Sequence, residues 1–230
     1  MIATILPAGV AVADSFGDLP EARLLPAEEA GIGNAVASRR GEYTTVRHLA
    51  RRAMAELGLP AVAVLPGPRR EPLWPTGVVG SMTHCAGYRA AALGLDHRHA
   101  AIGIDAEPHQ PLPEGLVAKV ARPDELPRLA RLTAEHPEVR WDRLLFSAKE
   151  AVYKAWFPLA RRWLGFQDAT LDFDPGAGTF VATLHAAGPV VAGTPLTRMG
   201  GRWRVHDGLI VTAVTVDGAR RAPEPARHAP

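Results

Sequence analysis

The chain has 230 residues, a formal net charge of +2 and 47% hydrophobic residues. This length fits one large domain or two half-sized ones, and the hydrophobic content excludes wholesale disorder. No apolar run is long enough to span a membrane, and the N-terminus lacks the basic start of a signal peptide, so we expect neither. The single cysteine, Cys85, excludes an internal disulfide and favours a cytosolic location.

In chain order, residues 1–26 are interrupted by prolines and predict one or two strands and a loop. Apolar residues then recur every three or four positions, which predicts one face of a helix; they are Tyr43, Val46, Ala50, Ala53 and Leu57. Residues 60–76 predict a short strand and a proline-rich loop. Three further short strands are predicted: Val78–Thr83, Ala90–Leu95 and Ala100–Ile104.

The second part of the chain predicts helices followed by strands. After a loop at 108–115, we expect helices at about 115–121, 124–136 and 141–157. Strands are predicted at Ala169–Phe173, Thr179–His185 and Trp203–Val216, the last with a hairpin turn at Asp207-Gly208.

This order predicts two similar α+β subdomains, 1–107 and 108–218, each with a small antiparallel sheet packed on helices. Residues 219–230 are rich in Pro, Ala and Arg, and we expect a disordered tail there. We find no convincing internal repeat at the level of the sequence.

Two carboxylates, Asp105 and Glu107, end the strand in the segment AAIGIDAEP. Residues i and i+2 of a strand point to the same face, and two adjacent carboxylates repel unless a cation lies between them. Such an all-oxygen pair suits Mg²⁺. Taken alone, the pair is at least as well explained as two ordinary solvent-exposed acids at a strand end.

The segment FSAKEAVYKAW predicts a helix with two distinct faces. Leu145, Ala148, Val152 and Ala155 would face the core, whereas Arg143, Ser147, Glu150 and Lys154 lie along another stripe. Glu150 and Lys154 could form only a surface salt bridge. Lysine is rare in this arginine-rich chain, however, and a compact ammonium suits a phosphate oxygen or a transferred proton.

A strand ending in Thr83 and His84 offers a hydroxyl and an imidazole that can both bind a phosphate. A purely structural histidine at the strand end is an equal alternative. Cys85 and His84 are adjacent in a strand and point to opposite faces, so we interpret Cys85 as a packing residue rather than a nucleophile.

The order GSMTHC, GIDAEP and FSAKEAVYKAW resembles the Sfp/EntD-type 4′-phosphopantetheinyl transferases. RRGEYTTVR and PLWPTGVVGSMTHCAGYRAA resemble the actinobacterial branch, which activates polyketide, nonribosomal-peptide and siderophore synthases. The resemblance covers about residues 30–216. It implies a pseudo-twofold fold with coenzyme A (CoA) and Mg²⁺ in the cleft between two subdomains. The implied reaction transfers phosphopantetheine from CoA to a serine of an apo carrier protein, leaving adenosine 3′,5′-bisphosphate.

The resemblance also implies roles for individual residues. Mg²⁺ would be held by Asp105, Glu107 and Glu150, and Glu150 would be the general base, directly or through a water. Lys154 would neutralise pyrophosphate charge and assist the leaving group. The implied CoA contacts are Thr83 and His84 near the 3′-phosphate, together with Arg39, Arg47, Lys149 and Lys154. Trp163 would border the pantetheine arm or the carrier groove.

Two features depart from the family pattern. Many relatives carry a basic residue where this chain has Glu71, so Arg69 or Arg70 is a candidate substitute. Pro158 is expected to shorten the helix that carries Glu150.

Two other function classes remain as alternatives: a non-catalytic CoA-binding or carrier-binding relative, and a basic nucleic-acid binder. The retained acids and Lys154 disfavour the first, and the lack of a concentrated basic face disfavours the second. We expect a cytoplasmic monomer that acts on apo carrier proteins with an acidic surface and binds neither membrane nor nucleic acid.

Overall fold

The computed structural model describes residues 1–33 and 35–218. The tail predicted at 219–230 lies outside these residues. The α-helices are α1 Pro26–Glu29, α2 Ala37–Glu56, α3 Val117–Val120, α4 Leu126–Glu135 and α5 Trp141–Ala160. The strands of the first half are β1 Ala11–Ser15, β2 Leu65–Pro66, β3 Pro72–Leu73, β4 Val78–Cys85 and β5 Tyr88–Leu95. The later strands are β6 His99–Pro108, β7 Ala169–Asp174, β8 Thr179–Leu184, β9 Val190–Val191, β10 Thr194–Pro195, β11 Arg198–His206 and β12 Leu209–Asp217.

Two antiparallel sheets, each packed against one long helix, confirm the predicted two-subdomain α+β fold. The first sheet has the order β1-β5-β4 and packs against α2, and the second has the order β6-β12-β11-β8-β7 and packs against α5. Strand β6, of which all but the last residue precedes residue 108, hydrogen-bonds to β12 and so belongs to the second sheet. The division of the chain at residue 107 stays a prediction.

The predicted helix faces are buried as expected. Tyr43, Val46, Ala50 and Ala53 of α2 are buried, as are Leu145, Ala148, Val152 and Ala155 of α5. Leu57, the last residue of the predicted stripe, follows the end of α2 and is only partly buried. The hairpin turn also forms as predicted, with positive φ angles at Asp207 and Gly208. No helix among the described residues is both long and apolar enough to cross a membrane.

Helix α5 lies unusually close to β6 because β6 has Gly103 at the contact. A Cβ atom at this position would come within 2.0 Å of the Ala151 carbonyl oxygen. Only glycine therefore permits this approach. Gly103, Asp105 and Glu107 share one face of β6, so the close packing brings both acids under α5.

The two sheets are joined by side chains along the free edge of β6. The Ile104 amide donates to Ser81 Oγ and the Ala106 amide donates to Thr83 Oγ1, each at 3.1 Å. Because buried amides require a hydrogen-bond partner, these hydroxyls take the place of the backbone carbonyls that a neighbouring strand would provide. Asp105 lies between the two bonded amides, at the seam between the subdomains.

Residues 1–26 contain one of the one or two predicted strands, β1, and Ile2–Ile5 forms a 3₁₀ turn whose i, i+3 spacing buries both isoleucines on one side. Two local expectations were wrong. Residues 60–76 contain the hairpin β2–β3 instead of a strand and a loop. Pro158 does not shorten α5, which continues to Ala160 and ends at Arg161 in the left-handed conformation. Pro158 lies in the last turn, where its missing N–H frees only one carbonyl.

Candidate active site

A cleft of about 620 Å³ opens between the two subdomains. This volume lies within the range of small-molecule sites. The structure brings six of the predicted site residues to its wall: Arg39, Arg47, Thr83, His84, Glu150 and Lys154.

Lys154 is bound to β6 rather than to its helical neighbour. Its Nζ donates to Asp105 Oδ1 at 2.8 Å and to the Ile104 carbonyl at 3.1 Å. Among the described residues, Lys154 forms no ion pair with Glu150, so the simple i, i+4 surface pair is excluded. Asp105 is only 5% exposed, which also excludes an ordinary solvated acid.

The second acid of the pair, Glu107, forms an ion pair with Arg143, and its Oε2 lies 2.8 Å from Arg143 Nη1. Burial raises the pKa of Glu107, Asp105 raises it further, and Arg143 opposes both effects. The stripe predicted along α5 therefore faces β6 and β12. Arg143 reaches Glu107, Ser147 bonds to Thr212 at 3.0 Å, and Lys154 reaches Asp105.

Glu150 differs from the two acids of β6 because its carboxylate has no hydrogen bond or ion pair within 1–33 and 35–218. Burial raises the pKa of Glu150, Lys154 lowers it, and the negative charges of Asp105 and Glu107 raise it. A carboxylate with a raised pKa is a stronger base than one in water. The Glu150 carboxylate is therefore free to bind a ligand or to accept a proton.

The donor set fits a hard divalent cation. Asp105 Oδ2 is buried without a hydrogen-bond partner, and the pKa values of Glu107 and Glu150 are each raised partly by neighbouring carboxylates. An unpartnered carboxylate oxygen among repelling acids is the environment that a cation relieves. Within the described residues, however, no three His, Cys, Asp or Glu side chains already stand at metal-binding spacing.

The opposite wall of the cleft carries Arg39 of α2 and His84 of β4. Arg39 Nη1 contacts His84 Nε2, and Glu42 Oε2 lies 3.2 Å from that same His84 nitrogen. Burial lowers the pKa of His84; Arg39, Lys154 and Arg89 lower it further, whereas Glu42 raises it. Cations and an imidazole that converge in this way can bind a phosphate monoester.

The side chain of Arg47 is buried and bound within the first subdomain, which the sequence did not predict. Its guanidinium lies 3.2 Å from the Tyr43 ring centroid, and its Nε donates to the Val64 carbonyl at 2.9 Å. Burial lowers the pKa of Arg47 to about 10. It remains charged at neutral pH and lines the cleft, so it can still contribute positive potential there.

The loop between β2 and β3 places Arg69 and Arg70 on the cleft wall. Neither guanidinium forms an ion pair within the part of the chain that is described. Glu71 instead accepts the Arg69 amide at 2.8 Å and lies 3.8 Å from Arg161 of the other subdomain. Glu71 therefore shapes the loop, and both arginines are left available for an anion.

The prediction that Lys149 contacts CoA is wrong. Lys149 is 3% exposed, and its Nζ donates to Glu125 at 2.6 Å and to the carbonyls of Val120 and Phe166 at 2.9 and 2.7 Å. All three ammonium protons are therefore used inside the second subdomain. The adjacent position, Glu150, faces the cleft because neighbouring helical residues point about 100° apart.

Sequence reasoning gave no role to Glu42, which pairs with Arg39 and His84, or to Arg89, which pairs with Glu42. Arg89 Nε binds Asp18 at 2.9 Å and its Nη2 lies 3.9 Å from Glu42. The available signal was the i, i+3 spacing of Arg39 and Glu42, which places them on one helical face.

Two aromatic side chains and a thiol complete the surroundings. Trp163 is 66% exposed and packs 4.8 Å from Tyr153, which lines the cleft. Trp163 therefore lies at the rim of the cleft. Burial raises the pKa of Cys85 to about 12, which fits its interpretation as a packing residue rather than a nucleophile.

Comparison with known proteins gives consistent matches. Residues 27–94 match the model of the 4′-phosphopantetheinyl transferase N-terminal domain, and residues 101–193 match that of the 4′-phosphopantetheinyl transferase superfamily. The chain is 50% identical to the 4′-phosphopantetheinyl transferase Svp of Streptomyces mobaraensis, over 94% of this chain and 89% of Svp. It is 45% identical to the 4′-phosphopantetheinyl transferase PptT of Mycobacterium tuberculosis, over 94% and 98%. A more distant match, over 51% of this chain and 48% of the relative, is 36% identical to enterobactin synthase component D of Salmonella typhi.

Proposed function

The chain belongs to the 4′-phosphopantetheinyl transferase superfamily and is an enzyme of that class. From this premise, we propose that it transfers the phosphopantetheine arm of CoA to a serine of an apo carrier protein, with Mg²⁺, and releases adenosine 3′,5′-bisphosphate. The observation that carries the proposal is the cleft itself. Arginines line one wall, and Glu150 and Lys154 line the other, where Lys154 is paired with the buried Asp105.

The first subdomain would bind the adenosine bisphosphate part of CoA. Arg39 and His84, which contact each other on the cleft wall, would bind the 3′-phosphate, and Arg47 would add positive charge. Arg69 and Arg70 reach the same cleft from the β2–β3 loop. Charge-assisted hydrogen bonds from arginine to phosphate are among the stronger polar contacts in proteins.

The second subdomain would carry out the chemistry. Glu150 accepts the serine proton, directly or through a water, as the serine oxygen attacks the phosphorus attached to pantetheine. A new P–O bond forms to serine, and the pyrophosphate P–O bond breaks with its electron pair going to adenosine 3′,5′-bisphosphate. Lys154 would neutralise the charge that develops on the leaving oxygen.

Asp105, Glu107 and Glu150 would hold Mg²⁺, which when bound supplies charge neutralisation on the pyrophosphate. Asp105 offers a buried free oxygen, Glu150 offers an unpaired carboxylate, and Glu107 would have to exchange or share its contact with Arg143. The raised pKa values of Glu107 and Glu150 support a role for a cation in this place.

The rim of the cleft fits an acidic carrier protein. Arg161, Arg162 and Trp163 are consecutive exposed residues directly after α5. Trp163 packs on Tyr153, so this basic and aromatic segment adjoins the cleft. We propose carriers of polyketide, nonribosomal-peptide or siderophore synthesis as substrates, and a cytoplasmic monomer as the working form.

The proposal is tested by intact mass spectrometry of apo carrier proteins incubated with the enzyme, CoA and Mg²⁺. We expect a gain of one phosphopantetheine group on the carrier serine, and no gain when EDTA replaces Mg²⁺. A carrier serine→Ala variant is the matched control. If CoA binds but no carrier gains mass, the chain is a non-catalytic CoA-binding relative and the proposed reaction is wrong.

A further inference from the structure

Thr83 was expected to contact a phosphate of CoA, but its hydroxyl is directed elsewhere. Thr83 is buried, and its Oγ1 donates to Asp105 Oδ1 at 3.3 Å. The same oxygen accepts the Ala106 amide at 3.1 Å. A threonine has one hydroxyl proton, so none remains for a phosphate.

The two oxygens of Asp105 have opposite environments. Oδ1 accepts both the Thr83 hydroxyl and the Lys154 ammonium, whereas Oδ2 is buried with no partner within the described residues. An unsatisfied buried carboxylate oxygen is costly, and each such atom needs a physical explanation. Two donors on one oxygen fix the rotation of the carboxylate and keep the other oxygen free.

We propose that Thr83 is a positioning residue that, together with Lys154, turns Asp105 so that Oδ2 is presented to the divalent cation. This inference rests on the metal site of the proposed function. Groups that orient a metal ligand often change cation affinity about 10- to 100-fold when they are removed. Thr83 achieves this from the first subdomain, so the cation site depends on the seam between the two halves.

Strand β4 offers a matched control two residues away. Ser81 Oγ accepts the Ile104 amide at 3.1 Å, as Thr83 Oγ1 accepts the Ala106 amide. Both hydroxyls therefore close the same seam, but only Thr83 also reaches Asp105. Removal of the Ser81 hydroxyl therefore measures what a hydroxyl between the two sheets contributes to structure, while the Asp105 carboxylate keeps its contacts.

The test is the affinity for Mn²⁺, a spectroscopic substitute for Mg²⁺, measured by electron paramagnetic resonance with and without CoA. Wild type, Thr83→Val, Thr83→Ser and Ser81→Ala are compared, and thermal unfolding without cation gives the folded fraction of each. We expect Thr83→Val to weaken Mn²⁺ binding about tenfold or more. Thr83→Ser and Ser81→Ala should bind within about twofold of wild type, since each keeps the hydroxyl on Asp105.

Wild-type affinity in Thr83→Val would overturn the inference, as would an equal loss in Ser81→Ala. If Thr83→Val does not fold, Thr83→Ala takes its place with the same expectation and the same contrary result. Failure of the wild-type protein to bind Mn²⁺ in either condition would instead overturn the metal site of the proposed function, and this inference with it. These outcomes distinguish an error about Thr83 from an error about the cation.

Discussion

The two subdomains contain the same internal contact but carry different charges on the faces that line the cleft. In each, a short X-Pro-X-Glu turn buries its glutamate: Leu25-Pro26-Ala27-Glu28 in the first and Arg122-Pro123-Asp124-Glu125 in the second. Each glutamate bonds to the amide of the first residue of its turn, at 2.9 Å for Leu25 and 2.8 Å for Arg122.

The correspondence extends to the central helices and the following segments. Glu28 pairs with Arg51 of α2 and accepts the Val64 amide at 2.9 Å. Glu125 pairs with Lys149 of α5 and accepts the Leu171 amide at 2.7 Å. The structure therefore contains a repeat that we did not find in the sequence.

The cleft faces of the two helices differ in charge. Helix α2 presents Arg39 and Arg47, whereas α5 presents Glu150 and Lys154 above the acids of β6. The proposed function accordingly assigns phosphate binding to the first half, and cation binding and proton transfer to the second. The two halves therefore share a buried glutamate–cation pair and differ in the charged side chains that line the cleft.

The largest expected effect belongs to the chemical half. Glu150→Gln removes the proposed base and one cation ligand, so the transfer rate should fall about 10²- to 10⁴-fold. The thermal midpoint should stay equal or rise, because a buried carboxylate with a raised pKa is replaced by a neutral isostere. Carrier modification at the wild-type rate would show that Glu150 is neither base nor ligand.

The next effect tests the buried glutamate–cation pair that both subdomains contain. Lys149→Met leaves Glu125 buried without its cation, and Arg51→Met does the same to Glu28. Removal of one partner of such a buried pair costs about 3–5 kcal/mol, so both variants should lose comparable unfolding free energy in urea. CoA affinity of the folded Lys149→Met protein should match wild type. A stable Lys149→Met variant that binds CoA poorly would restore the rejected CoA contact.

A smaller effect is expected in the binding half. Arg39→Ala removes a half-exposed donor beside His84, so CoA affinity should fall about tenfold, within the range for charged hydrogen bonds. Affinity for 3′-dephospho-CoA should change little. Isothermal titration calorimetry measures both ligands, with Arg40→Ala on the same helix as the control, since Arg40 does not line the cleft. Equal losses for both ligands would place Arg39 away from the 3′-phosphate.

The smallest effect is a proton linkage at His84. The pKa of His84 is lowered by burial and by Arg39, Lys154 and Arg89, against Glu42, and a bound phosphate should raise it. CoA binding should then take up protons near and below the ordinary His value of 6.5, and affinity should weaken as the pH rises through the bound-state pKa. Calorimetry in buffers of different ionisation enthalpy measures the uptake. His84→Gln removes this contribution and leaves only that of the phosphate; unchanged uptake in the variant would contradict the linkage.

The same shift affects stability. The folded state lowers the pKa of His84, so the unfolded chain binds more protons as the pH falls below 6.5. The free energy of unfolding should therefore decrease as the pH falls through the pKa of His84 in the folded protein.

The local patterns predicted much of the fold and part of the site. The i, i+2 spacing predicted that Asp105 and Glu107 share one face of a strand, and the stripe on α5 predicted that Glu150 and Lys154 share one face of a helix. Only the resemblance to the transferase family brought these two faces together, as the Lys154–Asp105 pair does in the structure. Lys149 was assigned to CoA by the resemblance alone; the stripe on α5 does not include it, and in the structure it pairs with Glu125. Thr83 and Asp105 are 22 residues apart, and the use of that hydroxyl depends on how the two sheets meet.

The buried glutamates were missed for a different reason. Glutamate is almost never fully buried unless it is paired, so neither Glu28 nor Glu125 was a candidate core residue. The signal was the proline two residues before each glutamate, in a turn where the carboxylate can cap the backbone. Their cations lie on a later helix, beyond the reach of a local pattern.

The division between the halves is tested most directly by the ratio of kcat/KM for CoA to that for 3′-dephospho-CoA in carrier modification. We predict that Glu150→Gln lowers both values and leaves the ratio at that of wild type, since Glu150 acts on the transfer step. Arg39→Ala should reduce the ratio towards one. A reduced ratio in Glu150→Gln, or a wild-type ratio in Arg39→Ala, would contradict the assignment of phosphate binding to the first subdomain and chemistry to the second.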